Sequence, residues 1–554
     1  MIHQKRKESV SSIEEAHLDK LGVSSTDEVN AWYTKAMRDE YKITGIKRVC
    51  RLLMENISNH VWIFGDYDVD GICATSIIYR ALKWTGFKNV HYRLPHRFSE
   101  GFGLNKTMVD EITDENAVII TVDNGIAALE AVSYAKEKGF TVIVTDHHEP
   151  VVDEDGNAIL PKADIIIDPV AIPKSAGFRG YCGAGIAYKI AKALMKNDRR
   201  ILSLLPLAAL ATVCDHMKLI KENFYIVRAG LMRINREMPI CVSGLLTLIK
   251  VLDVHYCDTS TFGYMIGPCV NAPERLQDGG AEIAVRLFTE DDLDQCTVLA
   301  NTLIDFNYRR KVAVSNALSK TATNVNMESI PYPLVIYVPD IGDGIIGIIA
   351  GELVRQYNVP AAVFTDCNIP GFYKGSLRSV DGYNVKANLD KCRDLFEGGT
   401  YGGHVSAGGA TIKKENFESL REALIEQAET SAPVNSNVSY YDVEIKNEQI
   451  EEAILENERF QPFGEGNEDL VFKVTGFKVY KPKFLNRAVQ QIGSNGLKLR
   501  SYHSDAVGFG LWKLGNGIED GTVVTLYGSI GFNVYNGKRR PQIIIEDLKI
   551  EKQQ

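Results

Sequence analysis

The run Val61-Trp62-Ile63-Phe64 is apolar enough for a central strand of a buried parallel sheet, and it stops at Gly65-Asp66-Tyr67-Asp68-Val69-Asp70-Gly71. Gly71 opens a helical pattern through Ala74-Thr75-Ser76-Ile77-Ile78, so three acids fall where a strand hands over to a helix. In an open α/β sheet that edge is where ligands bind. Three neighbouring carboxylates repel one another and resist ionisation unless a cation lies among them, which makes a hard divalent ion the simplest reading. An Asp-rich turn is the plain alternative. A calcium loop of the D-x-D-x-D-G type needs a Glu after five further residues, where this chain has Ile77.

The same pattern recurs along the chain. The β-branched run 117–122 stops at Asp123-Asn124-Gly125, Thr141–Thr145 stops at Asp146-His147-His148, and the apolar run 204–213 reads as a further strand that ends at Asp215-His216. Alternating strand and helix patterns imply βαβ units whose strand ends share one edge of a sheet. A lone His is usually structural, but Asp-His-His beside other carboxylates is a ligand set suited to Mn²⁺, Mg²⁺ or Zn²⁺. Gly183 and Gly185 in CGAGIAYKIAKAL lack the third glycine and the preceding strand of a dinucleotide fingerprint, so they read as a closely packed helix start.

At 554 residues the chain is too long for one core, and three or four domains are expected. Its 45% apolar and 24% charged content is that of an ordinary globular protein. There is no run of eighteen apolar residues and residues 1–20 are polar, so neither a membrane span nor a secretory signal is expected, and the cytoplasm is the expected location. Ten cysteines without a C-x-x-C pair read as reduced thiols. The net charge of -9 is uneven: residues 471–554 carry thirteen Lys or Arg against six Asp or Glu, a local excess of seven cations. There short strands alternate with Gly, Asn and Asp turns, and the aromatics Phe477, Tyr480, Phe484, Phe532 and Tyr535 are interleaved with Lys478, Lys481, Lys483, Arg487, Lys538, Arg539 and Arg540. That composition suits a small barrel on which bases stack and phosphates are neutralised; core aromatics with solvated lysines are the alternative. Between these ends, 229–322 is helical by pattern, with Arg275 in a loop, and Lys374-Gly375-Ser376-Leu377-Arg378-Ser379 offers cations, hydroxyls and a glycine suited to a phosphate.

GDYDVDG, VDNG, TDHHEP and CDHM resemble motifs one to four of the DHH phosphoesterases, and within that family those of its single-strand-specific 5′ to 3′ exonucleases. The likeness continues in order through LPHRFSEGFGLN, CGAGIAYK, GPCVNAPERL, GIIGIIAGEL, KGSLRS, YGGHVSAGG, FQPFGEGN and NVYNGKRRPQIIIEDL, across roughly residues 60–550. It departs at Ile341-Gly342-Asp343, where the family usually has Trp-His-Glu, and at Cys214, where it has Ala.

The resemblance implies an α/β multidomain fold: a helical segment 1–59, a parallel-sheet DHH domain 60–228, a helical connector 229–325, an α/β DHHA1 domain 326–430, a linker 431–470 and an OB-type β-barrel 471–554. It implies hydrolysis of single-stranded DNA from the 5′ end with two divalent ions, Mn²⁺ or Mg²⁺, in DNA recombination and repair. Asp66 and Asp68 are expected mainly at one ion, Asp70, His147 and Asp215 at the other, and Asp123 between them, with His148 facing the phosphate and Asp146 orienting a histidine. Arg97, Arg275, Ser376 and Arg378 are expected around the substrate's terminal phosphate, Phe102 as a stacking ring, and Gly375 and His404 as further substrate-binding residues. The expected partners are single-stranded DNA and a single-strand-binding protein or helicase, with the chain working as a monomer. Two other readings are a phosphodiesterase for short oligonucleotides or cyclic dinucleotides, which would not need the barrel, and a non-catalytic replication scaffold, which would not need every motif acid.

Overall fold

The computed structural model describes residues 2–37, 42–322, 330–429, 438–483, 485–493, 495–535 and 538–551. Phe484 and the start of the expected DHHA1 segment at Asn326 lie outside the described residues. The chain forms two compact units, Ile43–Asp215 with Gly230–Val434, and Met1–Lys42 with His216–Ala229 and Asn435–Gln554.

The first unit holds a five-stranded parallel sheet made of β1 (Val61–Phe64), β2 (Val90–Arg93), β3 (Val118–Val122), β4 (Thr141–Thr145) and β5 (Ile165–Ile167), in the order β2-β1-β3-β4-β5. Every pair is parallel, with Val61 opposite both Val90 and Val118, and Val118 opposite Thr141. All five residues of β3 are buried, as expected for β-branched strands covered on both faces, where each large apolar side chain contributes about 1.5–3 kcal/mol. The helix α1 (Val69–Trp84) follows β1, α2 (Gly183–Met195) and α3 (Leu205–Cys214) come after β5, and the strand C-termini face one edge.

The run 204–213 is therefore a helix, not the strand expected from its composition. Its residues are apolar but for Thr212, which erases the periodicity that separates the two, and Leu and Ala favour helix when the segment is buried. Pro206 is tolerated in its first turn, where the backbone N–H has no partner in any case. Arg275 likewise lies in a helix, α4 (Gly267–Leu276), rather than a loop: Pro268 falls in the first turn and Pro273 is accommodated inside. A π-helical turn, Phe262–Ile266, precedes it, and the 30-residue α5 (Leu293–Ala322) closes the helical region.

A second, mixed sheet in the same unit contains β6 (Leu334–Tyr337), β7 (Ala361–Asp366), β8 (Phe372–Arg378), β9 (Thr400–Gly403) and β10 (Ala407–Lys413), in the order β9-β10-β8-β7-β6. Only β6 and β7 run parallel, joined by α6 (Ile346–Tyr357), and this helix shares the buried cluster of Ile349, Leu353, Val363 and Ile336.

The other unit is built on a seven-stranded sheet in the order Val443–Lys446, Phe472–Lys478, Val523–Tyr535, Lys538–Ile550, Asp505–Gly508, Gly496–Arg500, Gln490–Ile492. Breaks in register at Val474/Phe477 and Tyr527/Gly528 bend its strands. The expected linker 431–470 thus contributes an edge strand. The expected 1–59 segment is divided between the units: Ile2–Lys5 pairs with Val438–Tyr441, and Val10, Ile13 and Ala16 share a core with Phe472, Val474 and Leu526. Among the described residues no helix is long and apolar enough to cross a membrane.

Candidate metal centre and substrate pocket

At the C-terminal edge of the parallel sheet, Asp68 caps α1: its Oδ1 accepts from Asp70 N–H at 2.9 Å and Gly71 N–H at 3.1 Å. Gly71 is required there, because a Cβ would stand 2.3 Å from the Asp66 carbonyl oxygen and 2.5 Å from its nitrogen. Asp66 accepts from the Tyr67 N–H at 2.8 Å. Asp70, fully inside, accepts from Gly183 N–H at 2.6 Å and Ala184 N–H at 2.7 Å, so the carboxylate binds the positive N-terminus of α2. The close packing read from CGAGIAYK is thereby explained.

Asp123 ends β3 in a left-handed backbone conformation, φ 63°, held by its N–H on the Thr145 carbonyl at 3.1 Å. His147 Nε2 lies 3.0 Å from Asp123 Oδ1, 3.5 Å from Asp70 Oδ2 and 3.7 Å from Asp215 Oδ2. Asp70, His147 and Asp215 converge on one point, and Asp123, His147 and His148 on another. Asp215 reaches this edge from the C-cap of α3.

Burial and mutual repulsion push four carboxyls up: Asp66 to about 7, with Asp68 as its main charged opponent, Asp215 to about 8 against Asp70 and Asp68, and Asp68 and Asp123 above the usual carboxylate range. The buried Asp123 Oδ1 and His147 Nε2 make no hydrogen bond. Two buried, unpartnered ligand atoms amid this set of carboxylates and imidazole fit a divalent cation of the Mg²⁺ or Mn²⁺ kind. Asp146 is different. Its Oδ1 holds His148 Nδ1 at 2.7 Å and its Oδ2 accepts from Ile126 N–H at 2.9 Å; although burial opposes it, the histidine keeps this carboxyl below the usual range. His148 is half-exposed; burial works against its charge, but the Asp146 bond raises it to about 9.

Beside the acids stand three guanidiniums. Arg97 lies over the Tyr67 ring at 5.2 Å, and its backbone N–H is fixed by buried Glu274 at 2.9 Å. Arg275 Nη1 donates to the Gly344 carbonyl at 3.3 Å, and burial with the field of Arg97 lowers it to about 10. Arg378 Nη1 donates to Ser376 Oγ at 3.0 Å, and burial and Arg97 again work against its charge. Arg275 and Arg378, whose charges burial and Arg97 oppose, are poised for an anion. Phe102 is 77% exposed in the adjoining loop.

Two expected residues sit otherwise. Gly375 faces Phe364, whose ring carbon would lie 2.3 Å from a Cβ, so its smallness serves packing. His404 occupies the exposed turn between β9 and β10, its N–H on the Ala407 carbonyl. The sequence reading missed Asn124, which ties the Phe64 and Val122 carbonyls together at 2.9 and 3.0 Å, and Asp168, a buried acid at the end of β5 raised to about 7 by burial. Asp168 had a signal, since Ile165–Ile167 is another β-branched run ending in an acid.

In the other unit, Phe477 is a core residue, and Arg539 and Arg540 pair with Glu458 and Asp505. Tyr480 instead packs at a tilt against the exposed Tyr502, ring centroids 4.7 Å apart, and Lys478 and Lys483 nearby in the sequence are exposed.

Three family models match the chain: the DHH family N-terminal domain over residues 60–212, the DHHA1 domain over 332–430 and the RecJ OB domain over 441–547. The single-stranded-DNA-specific exonuclease RecJ of Haemophilus influenzae is 30% identical over 69% of each chain. That of Bacillus subtilis is 30% identical over 93% of this chain, which spans 65% of the relative's length. The fold matches crystalline RecJ of Thermus thermophilus in complex with Mn²⁺ at a TM-score of 0.77 and 23% identity, covering 98% of this chain and 76% of that one.

Proposed function

The chain belongs to the RecJ family of single-stranded-DNA-specific exonucleases, and from that membership and the geometry of the site we propose that it hydrolyses single-stranded DNA from the 5′ end. The observation that carries this reading is the convergence of Asp70, Asp123, Asp215 and His147 on common points, next to the Arg97, Arg275 and Arg378 pocket.

Asp66 and Asp68 would hold mainly one divalent ion, Asp70, His147 and Asp215 the other, and Asp123 both; Mn²⁺ or Mg²⁺ would acidify a water and neutralise charge on the scissile phosphate. Asp146 orients His148 through Nδ1, which turns the other ring nitrogen of a cationic imidazole toward a phosphate oxygen. Arg97, Arg275, Ser376 and Arg378 bind the terminal 5′ phosphate, and Phe102 stacks on a base. Tyr480 and Tyr502, with Lys478 and Lys483, form a further base-packing and phosphate-neutralising surface. The chain acts as a cytoplasmic monomer in recombination and repair, on strands exposed by a helicase or covered by a single-strand-binding protein.

The test is digestion of end-labelled single-stranded DNA with Mn²⁺ or Mg²⁺, beside duplex DNA and cyclic dinucleotides, for wild type and Asp123→Asn. Products should shorten from the 5′ end of single strands only, and the variant should lose the activity. Release from the 3′ end, or equal turnover of cyclic dinucleotides, would overturn the reading.

A further inference from the structure

A second group of metal-ligating side chains lies at the opposite end of β1 from the acids. His60 immediately precedes the strand and Asp66 follows it by two residues, so at about 3.3 Å per residue the two ends are on the order of 20 Å apart. His60 Nδ1 is 3.0 Å from His91 Nε2 and 3.2 Å from Asp114 Oδ2, and the three atoms form one cluster. The sheet builds it. His91 on β2 is in register with Trp62, His60 is on the same face of β1 two residues earlier, and Asp114 comes from the turn before β3.

Proton counting shows what the cluster lacks. Trp62 Nε1 donates to Asp114 Oδ2 at 3.1 Å, which uses one lone pair of that oxygen. His60 Nδ1 carries at most one hydrogen, yet it faces both an imidazole nitrogen and a carboxylate oxygen, so it satisfies only one. Two ring nitrogens and a carboxylate oxygen thus lie close together, and one hydrogen on His60 Nδ1 cannot serve both of its neighbours. Zinc bonds of about 2.0–2.2 Å in tetrahedral array set ligand atoms about 3.3 Å apart, close to the 3.0 and 3.2 Å at which His60 Nδ1 stands from the other two. His60 and Asp114 are partly exposed, which leaves the fourth position to water. Trp62 also stacks on the His91 ring at 4.7 Å and fixes its plane. Lys83 is near enough to act on His91, but its ammonium is donated to the Lys88 carbonyl at 3.0 Å.

We propose that His60, His91 and Asp114 form a second metal site, selective for Zn²⁺ or a similar imidazole-preferring ion, that ties together the starts of β1, β2 and β3. Two imidazoles and one carboxylate favour Zn²⁺, Ni²⁺ or Cu²⁺ over the Mg²⁺ or Mn²⁺ suited to the carboxylate-rich cluster.

Trp62 supplies the probe. In the full chain with Mg²⁺ in excess, Cu²⁺ should quench Trp62 emission, and His60→Gln or His91→Gln should raise the midpoint about tenfold or more, the change expected when a first ligand is lost. Trp62→Phe should abolish the quenching while retaining the Zn²⁺ bound in equilibrium dialysis. Zn²⁺ should raise the melting temperature of wild type more than that of His91→Gln. Circular dichroism identifies any variant that is not folded, and the second histidine variant then decides. Unchanged Cu²⁺ midpoints and unchanged Zn²⁺ stoichiometry in both histidine variants would overturn the site and leave the cluster a hydrogen-bonded surface patch.

Discussion

Gly183→Ala separates helix propensity from the geometry of the metal centre. A Cβ at this position would stand 2.5 Å from Asp123 Cβ and 2.8 Å from both its Cα and Oδ1. Ordinary carbon contacts are about 3.5–4.0 Å, so Asp123 or the start of α2 must move by roughly 1 Å. The helix start cannot yield easily, because its first two N–H groups are held by Asp70 at 2.6 and 2.7 Å. Asp123 is equally confined by its left-handed backbone and its bond to Thr145. Overpacking of this kind costs about 1–3 kcal/mol, against a helix-propensity gain of at most about 1 kcal/mol for Gly to Ala. A displacement of about 1 Å in a catalytic group lowers rate about 100-fold. Gly185→Ala is the control, since its Cβ meets nothing closer than Tyr181 Cδ1 at 3.5 Å, an ordinary contact. Thermal melts and Mn²⁺-dependent digestion of single-stranded DNA read both effects. If Gly183→Ala retains activity within about threefold of wild type, or if Gly185→Ala is equally impaired, the clash with Asp123 does not control the site.

Under chelation, stability should fall as pH rises from about 6 to 8. Asp66 and Asp215 have folded values near 7 and 8, far above the carboxylate norm, so the folded chain binds more protons than the unfolded one in that interval, and added Mn²⁺ should flatten the slope in calorimetric melts. Arg378→Ala should abolish a preference for 5′-phosphorylated over 5′-hydroxyl strands in kcat/KM, and equal rates on the two substrates for wild type would remove the pocket from the scheme. His17 is buried between Phe460 and Phe463 with its ring on Asn457, and burial lowers it to about 4. The unfolded state then binds the extra proton between pH 6.5 and 4, so this histidine removes about 3 kcal/mol as pH falls through that window. Asp469, raised by burial to about 6, contributes the opposite slope, so the effect is read as the difference between wild type and His17→Gln in pH-dependent denaturant melts; parallel curves would refute it.

The parallel sheet and the edge at which its acids gather were legible in the sequence. Buried parallel strands must be continuous apolar runs, and a run that stops at Asp66, Asp123 or Asp146 announces both the strand and the acid at its end. How Asp215 arrives was not legible, because a buried apolar segment looks alike as helix and strand. Contacts distant in sequence were settled only in three dimensions. Asp70 holding the start of α2, Gly375 clearing space for Phe364, and Val10 and Ile13 joining a core with residues more than four hundred positions later follow from packing, which no local pattern encodes. The His60, His91 and Asp114 cluster belongs to the same class: each residue is ordinary in its own segment, and only the parallel register of β1 with β2 and β3 places their ligand atoms together.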